Sequence, residues 1–300
     1  MLTAIMLTSA LSSAAAAEHT FIVAGLGGEP EYEERFREQA NAIAGFARKA
    51  VGDEHVVALI GAEATRDSVK RGLAELAKRV SAKDAVMIVL IGHGSFDGEE
   101  YRFNVPGPDL TATELGELFD ALPANEQVIV NATSASGAVF DRWRRPRRVL
   151  ITATKSGGER TATRFAQHWT QATTTNAADV NKDDLVTAAE AFEYAHRQVE
   201  AAFKADVSLA TEHARLDGDD ADRFAVARFG AARASSGDPE VAALLTQRGA
   251  LELELNAVRD RKASLAEAAY YDELEVVLVK LALLQRQIDA RQAALTGDAG

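Results

Sequence analysis

The sequence predicts an α/β protein built on a mostly parallel sheet flanked by helices, with a helical hairpin at its C-terminal end. Two observations predict the sheet. Val- and Ile-rich runs of strand length recur through the first half, and amphipathic stretches of helical length separate them. A third predicts the hairpin: apolar residues recur at heptad-like spacing from about residue 244 to residue 288.

FIVAGL (21–26) is the first buried strand and EYEERFREQANAIAGFARKA (31–50) the helix after it. HVVALIG (55–61) is a second strand, and TRDSVKRGLAELAKRV (65–80) a second helix. VMIVLIG (86–92) is the third strand and the most apolar. A threonine-capped helix, TATELGELFDAL (111–122), leads to VIVNAT (128–133), and RRVLITAT (147–154) is a fifth strand. Helical crossovers of this length join parallel neighbours. From residue 160 the chain turns helical, with a long amphipathic segment around 187–204.

AARASSG (231–237) reads as a small-residue linker, and Asp238-Pro239 as a cap followed by a proline at the first helical position. Leu244, Leu251, Leu255, Val258 and Leu265 then recur along one helix, and Leu274, Val277, Leu281, Leu284 and Ile288 along another. Joined near Ser264–Tyr270, the two make an antiparallel coiled-coil hairpin or dimerisation element, or a hairpin packed on its own domain. The expected organisation is a leader (1–17), an α/β domain (18–230), a linker (231–237) and the hairpin (238–295).

A chain of 300 residues, 47% hydrophobic and 26% charged, has the composition of a folded globular protein. Its net charge of −12 argues against a nucleic-acid partner, because phosphates would be repelled. Residues 1–17, MLTAIMLTSALSSAAAA, carry no charged side chain and end in three alanines, which reads as a signal peptide. Cleavage there gives a mature chain starting near Glu18, exported to a periplasm or secreted. No later run is apolar over the roughly 18 residues a membrane span needs. With no cysteine in the chain, there is no disulfide to add to core burial.

GLGGEP (25–30) comes after the first strand as a dinucleotide loop would, but the third glycine of that pattern falls on Pro30. Nor does an acidic residue end the second strand, so no nucleotide cofactor is expected. The two strand ends IVLIGHGSFDG (88–98) and VIVNATSASGAVF (128–140) carry more chemistry. One delivers His93 between two glycines and the other delivers Ser134 in a turn of small residues. Reactive side chains at the carboxyl ends of buried strands are how a parallel sheet builds a crevice. His93 can serve as base, the N–H of Gly94 can hold an oxyanion, and Ser134 stands where a nucleophile would. Asp97 is the acid nearest in sequence to His93. Equally, Ser134 and Ser136 could simply cap the helix after the turn.

At these residues the chain resembles the caspase-like superfamily, especially its legumain-type and related bacterial branch. In that group one apolar strand ends in His-Gly, and the next ends in a small residue, Cys, one or two residues and Ser-Gly. GHGSFDG is similar to the first motif, which implies a catalytic histidine at His93 and an oxyanion glycine at Gly94. NATSASG is similar to the second with Ser136-Gly137 aligned, which puts Ser134 in the place of the cysteine. The likeness continues through RRVLITATKSGGE (147–159) and Asp179 to about Asp222, and covers roughly residues 20–230. It implies a caspase-like fold and a peptide or protein as substrate or partner. A cysteine beside histidine is partly thiolate, whereas a serine hydroxyl needs a base oriented by a third group. The resemblance therefore implies a peptidase homologue with impaired or regulatory function. The alternatives are an active serine-type hydrolase using His93 and Ser134, or a calcium-stabilised interaction module.

DVNKDDLVTAAE (179–190) suggests the calcium. Asp179, Asn181, Asp183, Thr187 and Glu190 occupy positions 1, 3, 5, 9 and 12 of an EF-hand-like loop, with the Leu185 carbonyl at position 7. Val186 supplies an apolar anchor, and Asp184 stands where glycine normally permits the sharp turn. The expected cofactor is a structural Ca²⁺; a capped helix start with a solvated acidic loop is the simpler alternative. RLDGDDAD (215–222) is a less regular acidic loop. DRWRRPRR (141–148) could hold an acidic peptide, but reads more readily as a solvated loop entering the fifth strand.

Overall fold

A computed structural model describes residues 16–234 and 238–297. Residues 1–15, most of the expected leader, and 235–237 of the expected linker lie outside the described residues. The sheet contains β1 (Glu18–Ala24), β2 (Val56–Ile60), β3 (Ala85–Ile91), β7 (Glu126–Asn131), β8 (Arg148–Thr152) and β10 (Arg215–Asp217), in the spatial order β10-β8-β7-β3-β1-β2. Every pairing is parallel except β10 on β8. The parallel α/β class expected from the apolar runs is therefore present, with an antiparallel edge that RLDGDDAD conceals. Three residues are too few to show an alternating pattern.

Helices α1 (Pro30–Val51), α5 (Phe165–Thr174) and α6 (Ala188–Ala205) cover one face of the sheet; α2 (Arg66–Arg79), α3 (Ala112–Asp120) and the short α4 (Phe140–Trp143) cover the other. Strand alternation divides the core between them. Ile22, Met87, Val89 and Val130 meet Phe36, Ile43 and Trp169 on the first side. Phe21, Val86, Ile88 and Ile129 meet Leu73, Phe119 and Trp143 on the second. The helix starts use the expected devices: Pro30 opens α1, Thr65 accepts from the Ser68 N–H, and Thr111 forms a reciprocal capping box with Glu114. Between β3 and α3 a small antiparallel sheet of β4 (Gly94–Phe96), β5 (Tyr101–Phe103) and β6 (Leu110–Thr111) folds back over the strand ends.

β9 (Leu185–Thr187) pairs antiparallel with β11 (Ala225–Arg228), which runs straight into α7 (Phe229–Ala234). The first residues of the expected linker are thus helical, and Ala231 and Ala232 are buried. Small side chains there serve close packing. α8 (Pro239–Asp260) and α9 (Glu267–Gly297) form the antiparallel pair, with Val241 and Leu245 against Leu284 and Ile288, and Leu255 and Val258 against Tyr270 and Val277. Arg291 to Asp238 and Lys280 to Glu254 tie the pair along its length.

The pair is also joined to the sheet. Arg228 is buried and its guanidinium lies between Glu18 of β1 (2.5 Å) and Glu252 of α8. Burial alone would lower its pKa, but the two carboxylates outweigh that and keep it charged. Leu253 of α8 belongs to the main core, and Arg147 and Arg223 both reach Asp260. The hairpin packs on its own domain through α8. Among the described residues, no helix is long and apolar enough to cross a membrane.

Candidate functional site

The strand order reverses direction beside β1, since the chain places β2 on one side of it and β3 on the other. At such a switch point the loops leaving the two strands part and open a crevice at their carboxyl ends. Gly25–Gly28 leaves β1 there and His93 leaves β3. The glycine loop is drawn in tightly. The Gly25 N–H donates to Ile91 O, and the Gly27 and Gly28 N–H groups donate to Glu33 Oε1 at the start of α1. A Cβ on Gly27 would lie 2.4 Å from the Glu33 nitrogen, so that approach requires glycine.

His93 is half-buried, with its ring edge-on to Tyr32 and Phe36 at centroid distances of 4.8 and 5.2 Å. Its Nε2 donates to the Gly27 carbonyl at 3.1 Å. A carbonyl only accepts, so this bond fixes the tautomer: the proton sits on Nε2 and the lone pair on Nδ1. Burial lowers the His93 pKa, with the Gly27 bond opposing the shift in part. The result is a neutral imidazole, aimed by a backbone group, with a basic nitrogen.

Asp97 is not the third group behind it. Its carboxylate accepts from the Glu99 and Glu100 N–H groups at 2.9 Å and pairs with Arg102 at 2.5 Å. The backbone bond from Glu100, the Arg102 pairing and the Glu99 bond hold its pKa well below the usual carboxylate range. Asp97 shapes the turn between β4 and β5. The orienting group is Gly27, whose loop the sequence marked only as a failed nucleotide motif.

Ser134 is buried at the end of β7, the strand beside β3. Its Oγ donates to Gly94 O and accepts from Gly94 N, both at 3.1 Å. Neither bond reaches His93. The Gly94 N–H expected to hold an oxyanion is thus taken by the hydroxyl expected to attack. A Cβ at Gly94 would meet Ser134 O at 2.4 Å and Tyr101 Cε2 at 2.6 Å, so the two strand ends close only over glycine. Behind Ser134, Thr133 Oγ1 bonds Tyr101 OH at 2.6 Å and Asn131 Oδ1 at 2.8 Å. Ala135, next in the chain, takes a left-handed φ of 57° and is held by its N–H on Glu159 O at 2.7 Å. A non-glycine residue in that region costs of order 1 kcal/mol or more, a strain that surrounding structure has to sustain. Neither Ser134 nor Ser136 caps the helical turn that follows, which has no side-chain cap; Ser136 Oγ instead accepts from the Thr154 N–H at 3.1 Å, joining the turn to the end of β8.

The acidic loop takes the twist its ligand pattern requires. Lys182 and Asp184 have φ of 59° and 66°, so Asp184 supplies the left-handed turn expected of glycine. Asp179 accepts from the Asp183 and Asp184 N–H groups, Asn181 Oδ1 from Asp183 N, and Asp183 Oδ1 from Leu185 N. Val186 is fully buried, as an anchor should be. Glu190 Oε2 instead accepts from Thr187 N and Oγ1, capping α6. Among the described residues, no three His, Asp or Glu side chains converge in metal-binding geometry. The left-handed turns at Lys182 and Asp184 are compatible with a calcium loop, whereas the carboxylates are not gathered around one point. Glu190 would have to exchange Thr187 for the ion.

The arginine run finds partners within the chain: Arg144 pairs with Asp217, Arg145 and Arg148 with Asp120, and Arg147 with Asp260. Asp220 pairs with Arg223. These pairs tie the run to α3, β10 and α8, and Arg148, expected in a solvated loop, is instead buried as the first residue of β8.

No family model matches the chain, and no curated protein does. A solved structure of a protein from Geobacter sulfurreducens is similar at a TM-score of 0.44 and 11% identity, over 67% of this chain and 94% of that one. At that distance neither details of fold nor function transfer.

Proposed function

We propose that the chain is an exported caspase-like peptidase homologue whose crevice binds a peptide or protein segment and whose catalytic power is impaired. The observation that carries this reading is the pair of hydrogen bonds between Ser134 Oγ and the backbone of Gly94. A serine becomes a nucleophile when a base takes its proton during attack. Here that proton is directed at a carbonyl, and the nearest expected oxyanion donor is already spent. His93 keeps the attributes of a base, oriented by Gly27, but its hydrogen bond lies elsewhere. Adjacent strand ends carrying His93-Gly94 and Ser134 through Gly137 support the family reading.

The test is Ser134→Cys. A thiol ionises far more readily than a hydroxyl and more so beside a histidine, so the variant should gain reactivity toward a peptidyl electrophile, and adding His93→Ala should remove most of it. The chain has no other cysteine, so labelling reports on this position alone. Wild-type hydrolysis of peptides that depends on both His93 and Ser134 would overturn the impairment and favour a working serine hydrolase. A Ser134→Cys variant that is folded and inert would remove the peptidase ancestry of the crevice.

A structural Ca²⁺ at Asp179, Asn181, Asp183, Leu185, Thr187 and Glu190 is the second reading, favoured by the left-handed turns at Lys182 and Asp184. Bound there, the ion would fasten β9 to the start of α6. Its loop shares a cavity with Glu18, Ala85 and Glu126, the first residues of three sheet strands, so it serves the scaffold and not the crevice. Saturating Ca²⁺ should add about 2.7 kcal/mol at a hundredfold excess over Kd, seen as a raised Tm. Glu190→Gln keeps the cap and removes the charge, and it should abolish the rise. A wild-type Tm that does not respond to Ca²⁺ removes the metal.

A further inference from the structure

α9 is apolar on two opposite sides. One side, including Val277 and Ile288, is buried against α8. The other faces outward, where Val276, Val279 and Leu283 are 54%, 49% and 52% exposed. At 3.6 residues per turn these three lie in one stripe with Asp272 and Glu275 on its N-terminal side and Arg286 on its C-terminal side. All three charged residues are exposed, and none has an ion-pair partner among the described residues. A surface helix with a single apolar stripe toward its core is complete; one with a second stripe has a face still to cover.

We infer that the outward face of α9 pairs with the same face of a second copy of this chain, antiparallel about a two-fold axis. The charge order selects both the occupant and the direction. An antiparallel copy sets Glu275 opposite Arg286 of the partner subunit at each end, and Val279 and Leu283 of both copies meet in between. That register puts the axis beside residues 280 and 281. A parallel copy would set acid on acid and Arg286 on Arg286. A two-fold contact needs a face complementary to itself, which an acidic–apolar–basic stripe is. One helix per copy gives a small interface, below about 1,200 Å² in total, so the expected Kd is on the order of micromolar. This pairing does not depend on the reading of Ser134.

Sedimentation of the full chain should show a reversible monomer–dimer equilibrium. Arg286→Glu opposes two acids at each end and should weaken the dimer on the order of tenfold. Glu275→Arg combined with Arg286→Glu restores opposite charges and should return Kd to within about threefold of wild type. Direction is read by thiols placed in the cysteine-free chain. Ala282→Cys lies near the axis and should be joined to its counterpart by a short bis-maleimide. Tyr271→Cys should not, because its counterpart lies about 28 Å away along the helix. A monomer at all concentrations, a double variant that fails to recover, or cross-linking of Tyr271→Cys would each overturn the inference. All substitutions sit on exposed positions, so circular dichroism should match wild type in every variant.

Discussion

His93 donates from Nε2 to the carbonyl of Gly27 at 3.1 Å, so a backbone atom at the end of β1 sets the protonation pattern of the side chain at the end of β3. The bond leaves Nδ1 as the basic nitrogen and ties the histidine to a loop that α1 holds through Glu33. Nitrogen chemical shifts of the labelled protein should report a neutral Nε2–H tautomer near pH 7. The ring should protonate below the ordinary histidine value of 6.5, because burial disfavours its charge. The associated stability is present above pH 6.5 and declines as the pH falls, since the unfolded chain binds that proton first. A Nδ1–H tautomer would remove Gly27 as the orienting group.

Gly94→Ala should destabilise the protein by about 2–3 kcal/mol, because the added methyl overlaps Ser134 O and the Tyr101 ring with little room to yield. Ser134→Ala should cost about 1 kcal/mol, the worth of a hydrogen-bonded hydroxyl, and should leave Gly94 in place. Urea midpoints of the two variants separate the clash from the lost bonds.

Glu212 predicts a pH dependence of the opposite sign. Its Oε2 accepts from the Arg164 N–H at 2.7 Å, while Oε1 is buried with no partner. Burial raises its pKa from 4.5 to about 7. A folded pKa above the unfolded one contributes stability below pH 4.5, and that contribution is lost as the pH rises through 7. Glu212→Gln should therefore be the more stable protein at pH 8, by up to about 3 kcal/mol, with the gap closing toward pH 4.5. Denaturation at both pH values checks it; an equal difference at the two would mean that Glu212 is ionised in the fold.

Arg228→Met should cost about 3 kcal/mol, because it leaves part-buried Glu18 without its cation beside Glu252, which keeps only Arg248. Arg228→Lys should recover part of this and no more, since one ammonium cannot reproduce a forked contact with two carboxylates. A Cm unchanged in Arg228→Met would show that the triad is solvated.

Much of the architecture is legible in the amino-acid order, and the reasons are local. The β3 run Ala85–Ile91 is apolar at every position because helices cover both faces, and Thr65 and Thr111 announce helix starts by their own chemistry. Val277 and Ile288 reveal a helix seam through spacing alone. The features that resisted reading are non-local. β10 is three residues long and exists because β8 offers an edge. The expected linker becomes α7 because Ala231 and Ala232 fit against the core. At the two strand ends, residue types singled out His93, Gly94 and Ser134, but not the bonds they make. Proximity in sequence suggested Asp97 as the orienting group, whereas the acceptor is a main-chain oxygen 66 residues away. Side-chain identity carries no trace of that.

The Arg228 triad also constrains when the protein can be finished. Glu18 opens the first strand, yet its counter-ion lies 210 residues later and the second acid of the triad is Glu252. β1 can pair with β2 and β3 early, but its first residue stays without its charge partner until β11 delivers Arg228, and the triad is incomplete until α8 adds Glu252. A chain emerging from its N-terminus at a ribosome therefore carries an incomplete sheet start through most of its synthesis. Closure is a late event, set by the last fifth of the polypeptide.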